Sequence, residues 1–188
     1  MSDTEAASGA SDEADTFDRR RRRVLWTLPT GLFVVGSRSG DRLNLMTCNW
    51  VMQVAIEPKL VAVSVERESV TRGLIEEGGG FAVSVLARSD RSVVRRFVKP
   101  VQEIERDGAG RVVAVQGIPV HEVAGGLPCL ASSVAWLACT VRSISRWDAP
   151  SGPGGASHVL FVGEVVAVGE AEPREILRME DTRMNYGG

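Results

Sequence analysis

From Leu32 onward the chain alternates short Val-rich apolar runs with Gly, Pro, Asp and Ser, the spacing of strands and turns. A strand is predicted from Leu32 to Ser37, followed by a hairpin turn at Gly40-Asp41. The return strand, Arg42 to Cys48, puts Leu43, Leu45 and Thr47 on one face and Asn44, Met46 and Cys48 on the other. Leu60 to Glu66 is almost unbroken in apolar residues, as expected of a strand covered on both sides. Phe81 to Leu86, Arg111 to Val115 and Ile118 to Glu122 read as further strands, and Val134 to Ile144 and Val159 to Val168 as two long closing ones.

Helical spacing is confined to short pieces. Ser69 or Thr71 can cap a helix that buries Leu74 and Ile75 and ends at Gly78-Gly79-Gly80. Ser89 can cap a second, with Val93, Val94 and Phe97 on one face and Pro100 as its stop. Pro173 opens a third that runs to Met179. Between the two long strands, Asp148 to Ser157 has the Pro, Gly and Ser content of a flexible loop. Seven or so strands with few helices predict a mainly β domain that closes, or nearly closes, into a barrel.

Composition narrows the classes. At 188 residues and 44% hydrophobic, the chain can bury one sizeable core. A net charge of -2 suggests neither nucleic acid nor an anionic membrane as partner, and no run of eighteen apolar residues would span a bilayer. Three cysteines (Cys48, Cys129, Cys139) lack a Cys-x-x-Cys pair, and neither His121 nor His158 stands at metal-ligand spacing from them. No disulfide framework and no metal site are expected, and a reducing cytoplasm fits best. Residues 1–23 read as a tail, acidic at first and then Arg-rich at Arg19 to Arg23, ahead of a domain over residues 24–188. Basic residues before Val24-Leu25-Trp26 imitate an export signal, but Thr27, Pro29, Thr30 and Gly31 interrupt the apolar run and no small-x-small site follows. A solvated tail is the expectation.

No nucleophile elbow, phosphate-binding glycine loop or zinc-protease motif occurs. The candidate chemistry is a polar cluster in an apolar setting. Asn44, Thr47, Asn49 and Trp50 fall where one strand leaves the core, and Arg67, Ser69 and Thr71 follow the next buried strand into a helix N-terminus. Backbone N–H groups, two hydroxyls and a guanidinium together would suit a phosphate monoester. By spacing alone, hydroxyls so placed are more often plain helix caps.

The runs Asn44-Leu45-Met46-Thr47-Cys48-Asn49-Trp50, Glu57-Pro58-Lys59-Leu60-Val61-Ala62-Val63-Ser64-Val65, Ser69-Val70-Thr71 and Phe81-Ala82-Val83-Ser84-Val85-Leu86 occur in this order. With His158-Val159-Leu160-Phe161-Val162-Gly163-Glu164-Val165 and the ending Arg183-Met184-Asn185-Tyr186-Gly187, they resemble the flavin reductase-like family over roughly Leu28 to Gly188. The resemblance implies an FMN-binding split β-barrel with a few short helices, assembled as a homodimer with flavin near the interface. It implies that Thr47, Cys48, Asn49 and Trp50 follow the isoalloxazine and ribityl side, joined there by Asn44. Ser64 and Val65 would offer backbone groups to the ring. Arg67, Ser69 and Thr71 would hold the phosphate, Phe81, Ala82 and Ser84 would line the groove, and Tyr186 would cover the flavin or pack across the interface. His158 matches the histidine near the nicotinamide or flavin and is the catalytic candidate. The chain departs from the family just before it, where Ala156-Ser157 stands in place of the usual Gly-Asp.

The implied activity is NAD(P)H-dependent reduction of FMN, or of FAD, with reduced flavin passed on to a two-component monooxygenase. The alternatives are an oxidoreductase that keeps FMN and reduces another acceptor, and a barrel that binds flavin without catalysis. Hydride transfer needs stacking and orientation more than a protein acid or base, consistent with the missing catalytic templates.

Overall fold

The computed structural model describes residues 15–147, 155–182 and 184. It divides into two compact units, Met1–Pro29 with Thr182–Gly188, and Thr30–Asp181. In the first, residues 15–25 form a helix, α1. The arginines read above as a tail form the body of that helix. Arg is a good helix former, and Asp18 pairs with Arg21 and Arg22 one turn on.

The second unit begins with the hairpin of β1 (Phe33–Ser39) and β2 (Arg42–Cys48), turned at Gly40 with its φ of 58°. Then come β3 (Val51–Ala55), β4 (Leu60–Glu66), helix α2 (Val70–Gly78) and β5 (Gly80–Val85). A small meander follows, β6 (Ile104–Arg106), β7 (Val112–Val115), β8 (Ile118–Val123) and β9 (Leu127–Leu130). The long antiparallel pair β10 (Ala135–Arg146) and β11 (His158–Glu170) completes the set.

Seven strands form one sheet in the order β2-β1-β5-β10-β11-β4-β3, and four form a second in the order β6-β7-β8-β9. The outermost strands of the large sheet, β2 and β3, are consecutive in the chain, and only Asn49 and Trp50 separate them. Three Cα–Cα steps reach at most about 11 Å, so the sheet must curl until its two edges meet at this corner. The nearly closed barrel is thus a consequence of one short connection, with its seam between β2 and β3. Phe81, Phe161, Val35, Val63, Val65, Ile75 and Val83 fill the interior. At Gly163 a Cβ would come within 2.7 Å of the Phe81 ring, so only glycine lets that ring seat against β11.

The β2, β4 and α2 expectations hold. Ser69 caps α2, its hydroxyl accepting from Arg72 N–H at 3.2 Å, and Gly79 ends it with φ 71°. The helix expected after Ser89 is two 3-10 turns instead, Arg88–Asp90 and Val93–Phe97. Thr47 Oγ1 donates to Val94 O at 2.7 Å, giving that carbonyl a partner outside its own turn. The helix expected from Pro173 to Met179 is absent. That segment is extended because its neighbours supply its bonds: Leu177 N–H donates to Leu86 O at 2.9 Å, and Leu32 N–H to Leu177 O at 3.3 Å. Leu177 is the one buried residue in it. Three short strands, β3, β6 and β9, had not been foreseen. Of the expected loop from Asp148 to Ser157, residues 148–154 lie outside the described residues.

Candidate functional site

The seam corner gathers the ends of several elements. Asn49 and Trp50 bridge β2 to β3, and Ser64 N–H, near the end of β4, donates to Trp50 O at 3.0 Å. Cys48 Sγ contacts Ser64 O at 3.6 Å. Because β4 also pairs with β11, His158 stands directly opposite Glu66. Two residues 108 positions apart therefore meet: the Trp50 and His158 rings lie edge to face, with centroids 4.6 Å apart at 66°.

Burial and charge define what these groups can do. Partial burial lowers the pKa of His158 and the Glu66 carboxylate pulls it back upward, with burial the larger effect. The imidazole is therefore neutral at pH 7. Its Nδ1 lies 2.8 Å from Ser157 Oγ. Burial pushes the Cys48 thiol up to about 12, which keeps it protonated and unreactive. Asn49 is 5% exposed, and its Oδ1 has no hydrogen-bond partner among the described residues. A buried acceptor left without a donor costs about 1–3 kcal/mol, so this oxygen marks a place where an outside N–H would be welcome.

Next to the aromatic pair lies a cationic end. Arg67 is held by the residues that leave β10 and enter β11: its Nε donates to Ala156 O at 3.0 Å, its Nη2 to Trp147 O at 3.2 Å, and its backbone N–H to Ser157 O at 2.8 Å. The Ser69 hydroxyl donates to Glu66 O at 2.8 Å while capping α2. Arg72 Nε donates to Arg67 O at 2.8 Å. Burial alone would raise the pKa of Glu76, but hydrogen bonds from Arg72 and Arg146 outweigh it and hold this carboxyl below its ordinary value.

The expected site residues thus separate into two groups. Asn49, Trp50, Ser64, Arg67, Ser69 and His158 converge on the corner or its flank, all but Asn49 with part of their surface exposed. Cys48 and Val65 back it from the interior. Thr47 turns its hydroxyl to Val94. Asn44 and Thr71 bond to each other inside the protein: Asn44 Nδ2 donates to Thr71 Oγ1 at 2.9 Å, its Oδ1 accepts from Val101 N–H at 2.8 Å, and both side chains are buried. Phe81, Ala82 and Ser84 are likewise fully buried, since β5 lies in mid-sheet with partners on both sides, and Ser84 Oγ accepts from Leu130 N–H at 3.0 Å. Tyr186 lies outside the described residues. Glu66, Arg72, Arg146 and Trp147 were missed. Glu66 ends an apolar strand and becomes relevant only through its cross-strand register with His158.

Such a corner suits a planar heterocycle with an N–H edge and an anionic tail: an aromatic wall, a neutral imidazole, an unfilled amide acceptor and a seated guanidinium. Comparison with known proteins points the same way. A family model described as flavin reductase like domain matches residues 25–187. The chain is 32% identical over 146 residues to a high molecular weight rubredoxin of Moorella thermoacetica, covering 76% of this chain and 57% of that protein. It spans only 20% of a putative diflavin flavoprotein of Nostoc sp., at 28% identity. An NADH-dependent FMN reductase of Streptomyces nodosus subsp. asukaensis is 32% identical over 80% of this chain and 74% of its own length. The solved NADH:FAD oxidoreductase of Streptomyces globisporus superposes with a TM-score of 0.64 at 26% identity, over 80% of this chain and 81% of that one.

Proposed function

The chain belongs to the flavin reductase-like domain family, and from that premise we propose that it is a flavin oxidoreductase using NADH or NADPH. When bound, the dihydronicotinamide would supply a hydride and FMN or FAD would accept it, with one proton taken up from water. The chain's own part is to bind and orient. Asn49 Oδ1 would accept from the flavin imide N–H, Trp50 would wall the ring system, and the Ser64 hydroxyl would line it. Arg67, Ser69 and the first turn of α2 would face the phosphate, and His158, neutral at pH 7, would sit on the nicotinamide side.

The observation that carries this reading is the corner itself, where the Trp50–His158 ring contact adjoins a buried acceptor with no partner of its own. An absorbance spectrum recorded with FMN or FAD, then during addition of NADH and NADPH, tests it. Bleaching of the visible flavin band that recovers with oxygen is expected, whereas protein that leaves flavin unbound and nicotinamide unoxidised refutes it.

We further propose a homodimer that hands reduced flavin to a separate monooxygenase. Supporting the dimer, Met52 on the outermost strand β3 is 65% exposed, and Val166 and Val168, on the part of β11 that runs past β4, are 53% and 69% exposed. A second reading, in which FMN stays bound and electrons pass to another acceptor, draws on the similarity to longer rubredoxin and diflavin proteins. Turnover that needs no added flavin would favour it.

A further inference from the structure

Resting on the flavin reading above, we propose that Trp147 is a stacking platform for the adenine of FAD, so that this chain holds FAD more tightly than FMN. Trp147 follows the last residue of β10, and the residue is 75% exposed. Its main chain, by contrast, is fixed: the carbonyl accepts from Arg67 Nη2 at 3.2 Å and from Ala156 N–H at 2.7 Å. An indole left in water on an anchored backbone is a ready surface for a flat partner.

Its position says which partner. Arg67, the residue assigned to the flavin phosphate, donates to the Trp147 main-chain carbonyl, so the root of this side chain is tied to the point where FMN would end. FAD continues from that point with a second phosphate, a ribose and an adenine. The second phosphate would meet Arg146 and Arg72, which both pair with Glu76, at 2.7 and 2.9 Å, and leave two positive charges against one negative. Gly155 keeps the arrangement open. A Cβ there would lie 2.8 Å from Arg67 Nη2 and 3.0 Å from Trp147 O, displacing the guanidinium from its seat. Base–aromatic stacking contributes about tenfold in affinity and needs no particular hydrogen-bond edge, which matches an indole this exposed.

The test is calorimetric titration of the full chain with riboflavin, FMN and FAD, in the wild type and in Trp147→Ala and Trp147→Phe. Expected is FAD binding about tenfold tighter than FMN, an advantage lost in Trp147→Ala and largely kept in Trp147→Phe, with FMN affinity unchanged in both. Equal wild-type affinity for FMN and FAD overturns this assignment while leaving the flavin reading intact. So does an equal loss of both ligands in Trp147→Ala, or a change of molecular mass in that variant with flavin affinity intact, which would make Trp147 a contact between copies. Failure of all three flavins to bind overturns both proposals at once.

Discussion

Two polar clusters of the same domain differ in almost every physical respect. Asn44, Thr71 and Ser84 are buried, and each has its polar side chain satisfied within the chain, by a neighbouring side chain or a backbone N–H. Asn49, Trp50 and His158 sit at the barrel seam, where two rings meet at an edge and one amide oxygen has no donor among the described residues. Both clusters were expected to be ligand contacts, by residue type or by the family resemblance. Satisfaction separates them, because a polar group whose bonds are complete stabilises the fold, and one whose bonds are incomplete is arranged for something else.

Substitutions should break the first cluster through stability and the second through binding. The largest effect is expected for Asn44→Ala, which strips partners from both Thr71 Oγ1 and Val101 N–H. It should cost about 3 kcal/mol in urea unfolding, with flavin affinity of the folded fraction little changed. Next is Arg67→Met, which should weaken FMN about tenfold relative to riboflavin, since only FMN carries the phosphate that a guanidinium would hold. Equal losses for the two ligands would refute the phosphate assignment.

Asn49→Leu should leave stability within about 1 kcal/mol of wild type, or raise it, because it removes an acceptor that has no partner, yet it should reduce flavin affinity several-fold. If its unfolding midpoint instead drops as far as that of Asn44→Ala, the contrast between the clusters fails. The smallest effect concerns His158. Its imidazole should titrate below 6.5 by NMR, charging only as pH falls through that lowered value, and Glu66→Gln should lower it further because the carboxylate is what raises it. An upward shift on Glu66→Gln would reverse the assigned sign.

Much of this arrangement was legible in the amino-acid order, for local reasons. The bounds of β2 and β4 and the caps of α2 follow from alternation, apolar continuity and Ser and Gly placement, all of which act within a few residues. What failed depended on distant partners. The Pro173 to Met179 segment has a plausible helix start, but bonds from Leu86 and to Leu32 hold it extended. β3 escaped notice because its middle three residues are exposed, so no core pattern marks it. At the site, Asn49, Trp50 and Arg67 were identifiable by type, and His158 by the family resemblance. That β4 lies between β3 and β11 and so brings Trp50 to His158, with Glu66 beside it, is a matter of strand order and register across the barrel. Conversely, Phe81, Ala82 and Ser84 read as groove residues until the mid-sheet position of β5 enclosed them.

The two-residue bridge between β2 and β3 has a consequence in time as well as in space. A barrel whose edges are tied at one corner opens most easily along the untied length of its seam, and that opening carries the bridge with it. A ligand seated on Asn49 and Trp50 would act as a clasp. Amide hydrogen exchange along β2 and β3 should then slow when flavin is added, while exchange in mid-sheet β5 and β10 keeps its own slow rate.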